Sequence, residues 1–120
     1  MTAKTDCVFC QIVAGDAPAT VAANWPDAIA IVPLSPVAPG HVLVIPRVHV
    51  PTFLSDPVVS AVALHRAAEY ANLLGLPGEG ANLITSAGEA ATQTVFHLHL
   101  HLVPRDPGDR LSLPWDVRCD

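Results

Sequence analysis

The chain has 120 residues, of which 51% are hydrophobic and 14% are charged, and its formal net charge is −5. This composition predicts a folded domain with a sizeable core and excludes a disordered chain. The six basic residues are scattered, no apolar run reaches the length of a membrane span, and no signal peptide is recognisable, so we expect a cytoplasmic protein without nucleic-acid or membrane partners.

Prolines and glycines divide the chain into short segments, and the pattern within each segment predicts its structure. Residues 8–14 are expected to form a short helix or turn, and residues 87–92 are expected to form a loop. The predicted strands are Thr20–Ala23, Ala28–Val32, His41–Ile45, Ala81–Ser86 and, stopped by Pro104, Val95–Val103. Short strands bounded by turn residues are typical of an antiparallel sheet.

One long helix is predicted over residues 56–74. The sequence Ser55-Asp56-Pro57 supplies an N-cap and an early proline, and Gly75 is a natural C-terminal stop. The apolar residues expected to pack along one face of this helix are Val58, Val62, Leu64, Ala68, Ala71 and Leu74. Together these elements predict an α+β fold, with an antiparallel sheet and the long helix on one of its faces.

Three histidines alternate with three leucines in the run His97-Leu98-His99-Leu100-His101-Leu102. Because the side chains of a strand alternate between its two faces, the imidazoles are expected on one face and the leucines on the other. The leucine face would pack into the core, and the histidine face would line a cleft. Such a cluster of imidazoles is more typical of a functional site than of a structural surface.

A neutral imidazole is nucleophilic near pH 7 and can attack phosphorus to form a covalent phosphoramidate. A histidine with this role needs its second ring nitrogen held, and a backbone carbonyl can hold it. The neighbouring histidines and the loop that precedes them could donate hydrogen bonds to phosphate oxygens. The polar side chains of this loop are Ser86, Thr92, Gln93 and Thr94.

Three segments of the chain are similar to the histidine-triad (HIT) superfamily. Gln93–Val103 resembles the family signature, in which three histidines alternate with apolar residues. Pro39–His49 is similar to a second family block, and Cys7–Ile12 resembles the start of the bacterial members. The similarity therefore extends from about Cys7 to Arg105, with the blocks in the family's order.

This resemblance implies a single HIT-like domain over residues 1–120, with a core at about 7–105 and a C-terminal tail over 106–120. It implies a homodimer and a hydrolase or nucleotidyl transferase that acts at the α-phosphate of a nucleoside phosphoramidate or dinucleoside polyphosphate. The implied partner is a purine nucleotide or a nucleotide conjugate.

The family's site residues carry over to matching positions of this sequence. The resemblance implies that His99 is the nucleophile, which forms a nucleotidyl-His99 intermediate, and that His101 contacts the phosphate and takes part in catalysis. It places His41 at the border of the same site. It implies that Gln93 and Thr94 bind phosphate and assist the leaving group.

Three positions depart from the family pattern. Pro33 stands where many members carry an acidic residue that grips the ribose hydroxyls. Ser86 replaces a phosphate-contacting asparagine and remains a candidate substrate contact, and Thr92 replaces a glycine. These changes leave the nucleophile in place and affect the contacts that would define the substrate.

Cys7 and Cys10 form a Cys-x-x-Cys pair, which is a common but by itself weak half-site for zinc. In the bacterial zinc-containing type that the chain resembles, the implied ligands are Cys7, Cys10, His49 and His97, and four protein ligands make the zinc structural. The other interpretation is a pair of reduced cysteines beside a surface His49. An odd number of cysteines in a chain that is expected to be cytoplasmic argues against a disulfide framework. The third cysteine, Cys119, lies in the predicted tail.

Two other function classes are open at this point. His97, His99 and His101, or two of them with His41, could instead be ligands of a catalytic zinc in a metal-dependent hydrolase. The chain could also be a non-catalytic nucleotide-binding module. Metal removal would abolish activity directly in the first case, and binding of a nucleotide without turnover would indicate the second.

Overall fold

The computed structural model describes residues 6–116, which contain five strands, two α-helices and one short 3-10 helix. The strands are β1 (Thr20–Asn24), β2 (Ala28–Val32), β3 (Val42–Pro46), β4 (Gly80–Ile84) and β5 (Leu100–Arg105), and the helices are α1 (Val8–Ala14), α2 (Pro57–Leu74) and the 3-10 helix Glu89–Ala91. The predicted α+β fold is confirmed. Within residues 6–116 no helix is long and apolar enough to cross a membrane. Cys119 lies outside the described residues.

All five strands join one antiparallel sheet in the order β1-β2-β3-β5-β4. β5 is therefore an inner strand, with β3 on one side and β4 at the edge on the other. His101 of β5 lies opposite Leu43 of β3 and Ile84 of β4. This register places the last histidine of the triad between two neighbouring strands rather than at the edge of the sheet.

The alternation predicted for the triad is confirmed in the packing of the two sheet faces. Leu98, Leu100 and Leu102 belong to a buried cluster that includes Ala63 and Ala67 of α2. On the other face, a second cluster centres on a side chain of α1 and four apolar residues of the sheet, Phe9, Ile29, Ile31, Leu43 and Ile45. The histidines thus lie on the face covered by α1, and the leucines lie on the face covered by α2.

The predicted beginning of α2 is confirmed. Asp56 is the N-cap, where its side chain accepts a hydrogen bond of 2.9 Å from the Val58 N–H, and Pro57 is the first helical residue. The predicted buried face is wrong for Val58, Leu64 and Leu74, which are 72%, 52% and 63% exposed, whereas Ala71 packs against the core as predicted. The side that packs on the sheet is built around two alanines, since small side chains let the helix lie close to the strands.

The last predicted strand is wrong at both ends, since β5 begins at Leu100 rather than Val95 and ends at Arg105. Before Leu100 the main chain makes other bonds: the Leu98 N–H donates to the Val50 carbonyl at 2.8 Å. Pro104 does not stop the strand. β3 pairs with β5 only as far as Leu102, so the end of β5 has a single neighbouring strand and tolerates a proline.

Candidate metal and catalytic sites

The first of two histidine clusters forms where α1 begins. Cys7 is the N-cap of this helix, and its Sγ accepts a hydrogen bond of 3.4 Å from the Cys10 N–H. The first helical turn therefore brings both thiols to one side. His49, which follows β3, and His97 meet them there, and one ligand atom from each of the four residues lies within 4.8 Å of the others.

Four of the six distances between the ligand atoms match the edges of a tetrahedral metal site. The Nδ1 atoms of His49 and His97 are 3.1 Å apart, and the sulfur of Cys10 lies 3.3 and 3.5 Å from them. The sulfur of Cys7 lies 3.5 Å from His97 Nδ1. Zinc bonds of about 2.3 Å to sulfur and about 2.0–2.1 Å to nitrogen require tetrahedral edges of about 3.3 Å between nitrogens and about 3.5 Å between nitrogen and sulfur. These four distances fit a zinc ion, and all four ligand atoms lie within 4.8 Å of one another.

His97 is oriented as a metal ligand by its other ring nitrogen. Its Nε2 lies 2.8 Å from the carbonyl oxygen of Pro46, which can only accept, so Nε2 carries the proton and Nδ1 presents its lone pair to the cluster. The ring is fully buried. Burial, followed by the neighbouring His49 and His99, lowers the pKa of His97 to about 4, so the ring is neutral at pH 7, as a ligand must be.

His99 is held by its Nδ1 nitrogen, whereas His97 is held by Nε2. Its Nδ1–H donates a hydrogen bond of 2.7 Å to the main-chain oxygen of His97, which leaves the lone pair on Nε2. The Thr85 hydroxyl donates to the His99 carbonyl at 2.8 Å and fixes its main chain. Burial lowers the pKa of His99 below its usual value, against the opposing effect of the bond to His97. At neutral pH this ring is neutral, and its Nε2 lone pair is available to act as a nucleophile.

His41 and His101 form a directed chain of hydrogen bonds beside His99. The Val37 N–H donates to His41 Nδ1 at 3.1 Å, so the proton of the neutral ring is on Nε2, which lies 3.1 Å from His101 Nδ1. His101 then accepts at Nδ1 and carries its own proton on Nε2. Burial lowers the pKa of both rings, that of His101 to about 4, where the neighbouring His99 and His41 add to the effect.

These three histidines line a pocket of about 460 Å³ between the sheet and the loop that precedes the triad. The predicted substrate contacts Ser86, Gln93 and Thr94 lie on it as well. The other lining residues are Phe9, Pro33, Ser35, Val37, Leu43, Ile84, Thr92, Val95 and Val103. None of these residues, within the part of the chain that the structure describes, is a lysine, an arginine or a carboxylate.

Gln93 is a buried part of this wall, and it is bonded to the main chain. Its Oε1 accepts from the Gly88 N–H at 2.8 Å, and its Nε2 donates to the carbonyls of Pro51 and Val95 at 2.7 and 3.1 Å. These bonds fix the loop around the pocket. The phosphate contact implied for Gln93 stays a prediction.

Phe9 has a place in the site that the sequence did not predict. Its ring packs edge-on against His99 and His97, with centroid distances of 5.0 and 6.0 Å, and it lines the pocket. Its place in the site depends on how α1 lies against the sheet, for which the sequence carries no pattern. The roles of Thr85 and of the carbonyls of Pro46 and His97 depend on main-chain geometry and leave no pattern in the sequence.

The structure divides the triad between two sites. His97 joins the cysteines, whereas His99 and His101 face the pocket with His41. Among residues 6–116, the cluster of Cys7, Cys10, His49 and His97 is the only group of three or more potential ligands close enough to share a metal ion. This arrangement disfavours a catalytic metal held by His97, His99 and His101.

Comparison with known proteins gives the family of this fold and site. A sequence model described as the HIT domain matches residues 14–108. The solved structure of a protein from Streptococcus mutans superimposes with a TM-score of 0.86 at 38% identity, covering 92% of this chain and 72% of the other. A Zn-bound histidine triad family protein from Mycobacterium smegmatis has a TM-score of 0.76 and 43% identity, covering 90% and 81% of the two chains.

Two relatives have named activities. The chain is 33% identical over 113 residues to adenylylsulfatase HINT3 of Arabidopsis thaliana, covering 92% of this chain and 57% of the relative. It is 29% identical over 127 residues to adenosine 5'-monophosphoramidase HNT1 of Candida albicans, covering 99% of this chain and 84% of the relative.

Proposed function

The chain belongs to the HIT domain family, and we propose that it is a nucleotide hydrolase or nucleotidyl transferase that works through a covalent nucleotidyl-His99 intermediate. The orientation of His99 carries this proposal. Its Nδ1–H is fixed on the His97 carbonyl, and its Nε2 lone pair belongs to a neutral ring on the pocket wall. A side chain prepared in this way is an activated nucleophile.

The proposed reaction has two displacements at one phosphorus. His99 Nε2 forms a bond to the α-phosphorus while the bond from phosphorus to the leaving group breaks, and the leaving group takes the electron pair. His101 Nε2–H donates a hydrogen bond to a phosphoryl oxygen or to the leaving group, and the bond from His41 Nε2–H to His101 Nδ1 keeps that proton on Nε2. The leaving group takes its proton from solvent. Water then attacks phosphorus, the bond to His99 Nε2 breaks with its electron pair on the ring, and the proton lost by water passes to solvent, which leaves a nucleoside monophosphate.

The neutral lining of the pocket favours phosphoramidates over dinucleoside polyphosphates as substrates. A phosphoramidate brings one or two negative charges, whereas a polyphosphate chain brings several that need cations nearby. The lining residues offer only neutral donors, and the chain as a whole is acidic. The names of the two relatives, a phosphoramidase and an adenylylsulfatase, support the same choice.

The test is a rapid-quench reaction of the protein with adenosine 5'-phosphoramidate, followed by mass spectrometry of its peptides. We expect an adenylyl group on the peptide that contains His99, and no adduct with the His99→Ala variant. The His65→Ala variant, altered in an exposed histidine of α2, is the matched control and should form the adduct normally. Turnover by His99→Ala at the wild-type rate would overturn the proposal, and binding of adenosine monophosphate without turnover by the wild-type protein would favour a non-catalytic module.

We also propose that Cys7, Cys10, His49 and His97 hold a structural zinc ion. Support comes from their tetrahedral spacing and from the Zn-bound relative. When bound, the ion would supply a cross-link between α1, the segment after β3 and the triad. With four protein ligands it would have no open position for substrate.

A second copy of the chain is the proposed partner. β4 is an edge strand, and next to it a groove of about 260 Å³ is lined mostly by apolar side chains, including Phe53, Leu64 and Ile84. These three are 39%, 52% and 40% exposed, which makes them candidates for burial in a homodimer. We expect the protein to act in the cytoplasm, because its cysteine site needs reduced thiols.

The dimer is tested by measuring molar mass in solution with light scattering. Leu64→Glu should shift the protein to the monomer, because it places a charge in the groove. Val21→Glu, on the opposite edge strand β1 and similarly exposed, is the control and should leave the dimer intact. A wild-type protein that is monomeric at micromolar concentration would contradict the proposal.

A further inference from the structure

The segment that carries the nucleophile lies outside the regular sheet. β5 begins at Leu100, and β3 reaches β5 no earlier than the pair of Val44 with Leu100. The preceding residues therefore lack the ladder of hydrogen bonds that fixes His101. They depend on a few separate contacts, namely the bond from Leu98 N–H to Val50, the bond from Thr85 to His99 and those of the His97 ring.

His97 belongs to both sites at once. Its Nδ1 lies among the metal-ligating atoms, 3.1 Å from His49 Nδ1 and 3.5 Å from the sulfurs of Cys7 and Cys10. Its main-chain oxygen accepts the 2.7 Å hydrogen bond from His99 Nδ1 that leaves the nucleophilic lone pair on Nε2. A displacement of His97 therefore moves the acceptor that orients His99.

A second connection passes through α1. Cys7 and Cys10 bind this helix to the cluster at two points, and Phe9 lies between them with only 7% of its surface exposed. The Phe9 ring meets the His99 ring edge-on, with a centroid distance of 5.0 Å and an interplanar angle of 81°. The helix that the metal would hold in place thus supplies the side chain that packs against the nucleophile.

We propose that occupancy of the Cys7/Cys10/His49/His97 cluster controls the position of the His99 imidazole, with Phe9 and the His97 main chain as the positioning groups. Metal binding then governs adduct formation as well as stability. The consequence for catalysis rests on the proposed function of His99. The structural coupling between the two sites does not depend on it.

The tautomer of His97 explains why metal loss should reach His99. With an ion bound, the ring nitrogens of His49 and His97, 3.1 Å apart, both present lone pairs to it. Without the ion, these two lone pairs face each other, which favours a turn of one ring or a proton on one Nδ1. If His97 takes this proton on Nδ1, Nε2 loses its own and faces the Pro46 oxygen with a lone pair, which repels it from the position seen here.

The first test compares the zinc-loaded wild-type protein with the same protein after chelation, using NMR of imidazole N–H groups and amide hydrogen exchange. Metal loss lowers the stability of the whole fold, and the amides of β5 from Leu102 onward report this general effect. We expect the exchange of the His99 Nδ1–H, and of the amides of residues 8–14 and 97–99, to accelerate at least about tenfold more than that of these β5 amides. An acceleration in the triad segment no larger than that throughout β5 would overturn the proposed coupling.

The second test separates Phe9 from the rest of α1. Phe9→Leu keeps an apolar side chain but removes the ring edge, and small displacements of a nucleophile are costly, so we expect single-turnover adduct formation to fall about tenfold with one zinc still bound per chain. Ile12→Ala truncates another side chain packed in the same cluster and should leave the rate within about twofold. Equal rates for the two variants would contradict a positioning role for Phe9.

These tests distinguish this inference from the proposed function. If the zinc-loaded wild-type protein forms no adduct with adenosine phosphoramidate, the proposed function is wrong. The exchange measurement still decides whether the metal site holds the triad segment. If the adduct forms at the same rate with and without metal, the proposed function stands and the inference fails.

Discussion

In both histidine clusters a main-chain carbonyl holds one ring nitrogen of a histidine, but the nitrogen that is held differs between the two clusters. In the cluster with the cysteines, His97 Nε2–H donates a hydrogen bond to the Pro46 carbonyl, and the Nδ1 lone pair faces the other potential metal ligands. In the pocket, His99 Nδ1–H donates a hydrogen bond to the His97 carbonyl, and the lone pair is on Nε2. The same side chain, two residues further along, therefore presents the other nitrogen, because a different ring N–H meets a carbonyl oxygen.

The two clusters also differ in how many nitrogen or sulfur lone pairs meet at one point. Four ligand atoms converge in the cysteine cluster, so an ion there would be enclosed by protein. In the pocket, the hydrogen bonds run from Val37 through His41 to His101, and only one nucleophilic lone pair remains. An enclosed ion would have a structural role. The single lone pair of His99, beside the hydrogen-bond donor His101, is suited to the transfer of a phosphoryl group.

The largest expected effect separates the two clusters by function. His99→Ala should lower turnover of adenosine phosphoramidate by about 10⁴-fold or more, because it removes the group that forms the intermediate. Zinc content, measured by atomic emission, should remain one ion per chain, since His99 is not in the cysteine cluster. Loss of zinc from this variant would mean that the two clusters are not separable.

Metal removal addresses the other cluster. An ion present at a thousand times its dissociation constant adds about 4 kcal/mol to the free energy of unfolding, and its loss should lower the melting temperature by on the order of 10 °C. Calorimetry of the wild-type protein and of Cys10→Ser, with and without chelator, measures this difference. A variant with the same melting temperature as the loaded wild-type protein would contradict a structural metal.

The sequence predicted the elements of this fold better than their packing. Proline, glycine and the Ser55-Asp56-Pro57 cap are local signals, and the helix and the strands over 20–23, 28–32 and 41–45 were confirmed to within about a residue. The face of α2 was predicted wrongly, because leucine and alanine occur on several sides of it and only the neighbouring strands decide which side is buried.

The candidate site shows the same division between local and non-local information. Alternation predicted that the imidazoles share a face. The structure places every site residue named from the sequence either in the cysteine cluster or on the wall of the pocket. Alternation could not reveal that Val95 to His99 precede the strand, because main-chain bonds to Val50 and from Thr85 replace the ladder there. Those partners are distant in the sequence and have no motif.

A smaller effect should follow from the hydrogen-bond chain inside the pocket cluster. His41→Ala removes the donor to His101 Nδ1, so His101 can adopt the other tautomer and lose its proton donor on the substrate side. One such hydrogen bond corresponds to about a tenfold fall in kcat/KM, with zinc content unchanged. Steady-state kinetics beside the control His65→Ala would measure this loss. A kcat/KM equal to that of the control would show that the hydrogen bond from His41 to His101 does not contribute to the reaction.

The smallest expected effect is the loss of folding stability in acid, which depends on how burial lowers the pKa of a histidine in each cluster. Burial lowers the pKa of both His97 and His101 to about 4. Between pH 6.5 and pH 4 the unfolded chain therefore binds more protons than the native protein, and the free energy of unfolding falls as the pH is lowered through this window. After allowance for the partial exposure of His101, its share between pH 7 and pH 5 is about 1 kcal/mol.

His101→Gln should remove that share while leaving the part that comes from the cysteine cluster. Urea unfolding at pH 7 and pH 5 would show a smaller difference between the two midpoints for His101→Gln than for the wild-type protein. His65→Gln, in which an exposed histidine of α2 is replaced, should keep the wild-type difference. If His101→Gln and the wild-type protein lose equal stability in acid, the acid sensitivity belongs to the cysteine cluster alone, and burial of the pocket histidines does not oppose their protonation.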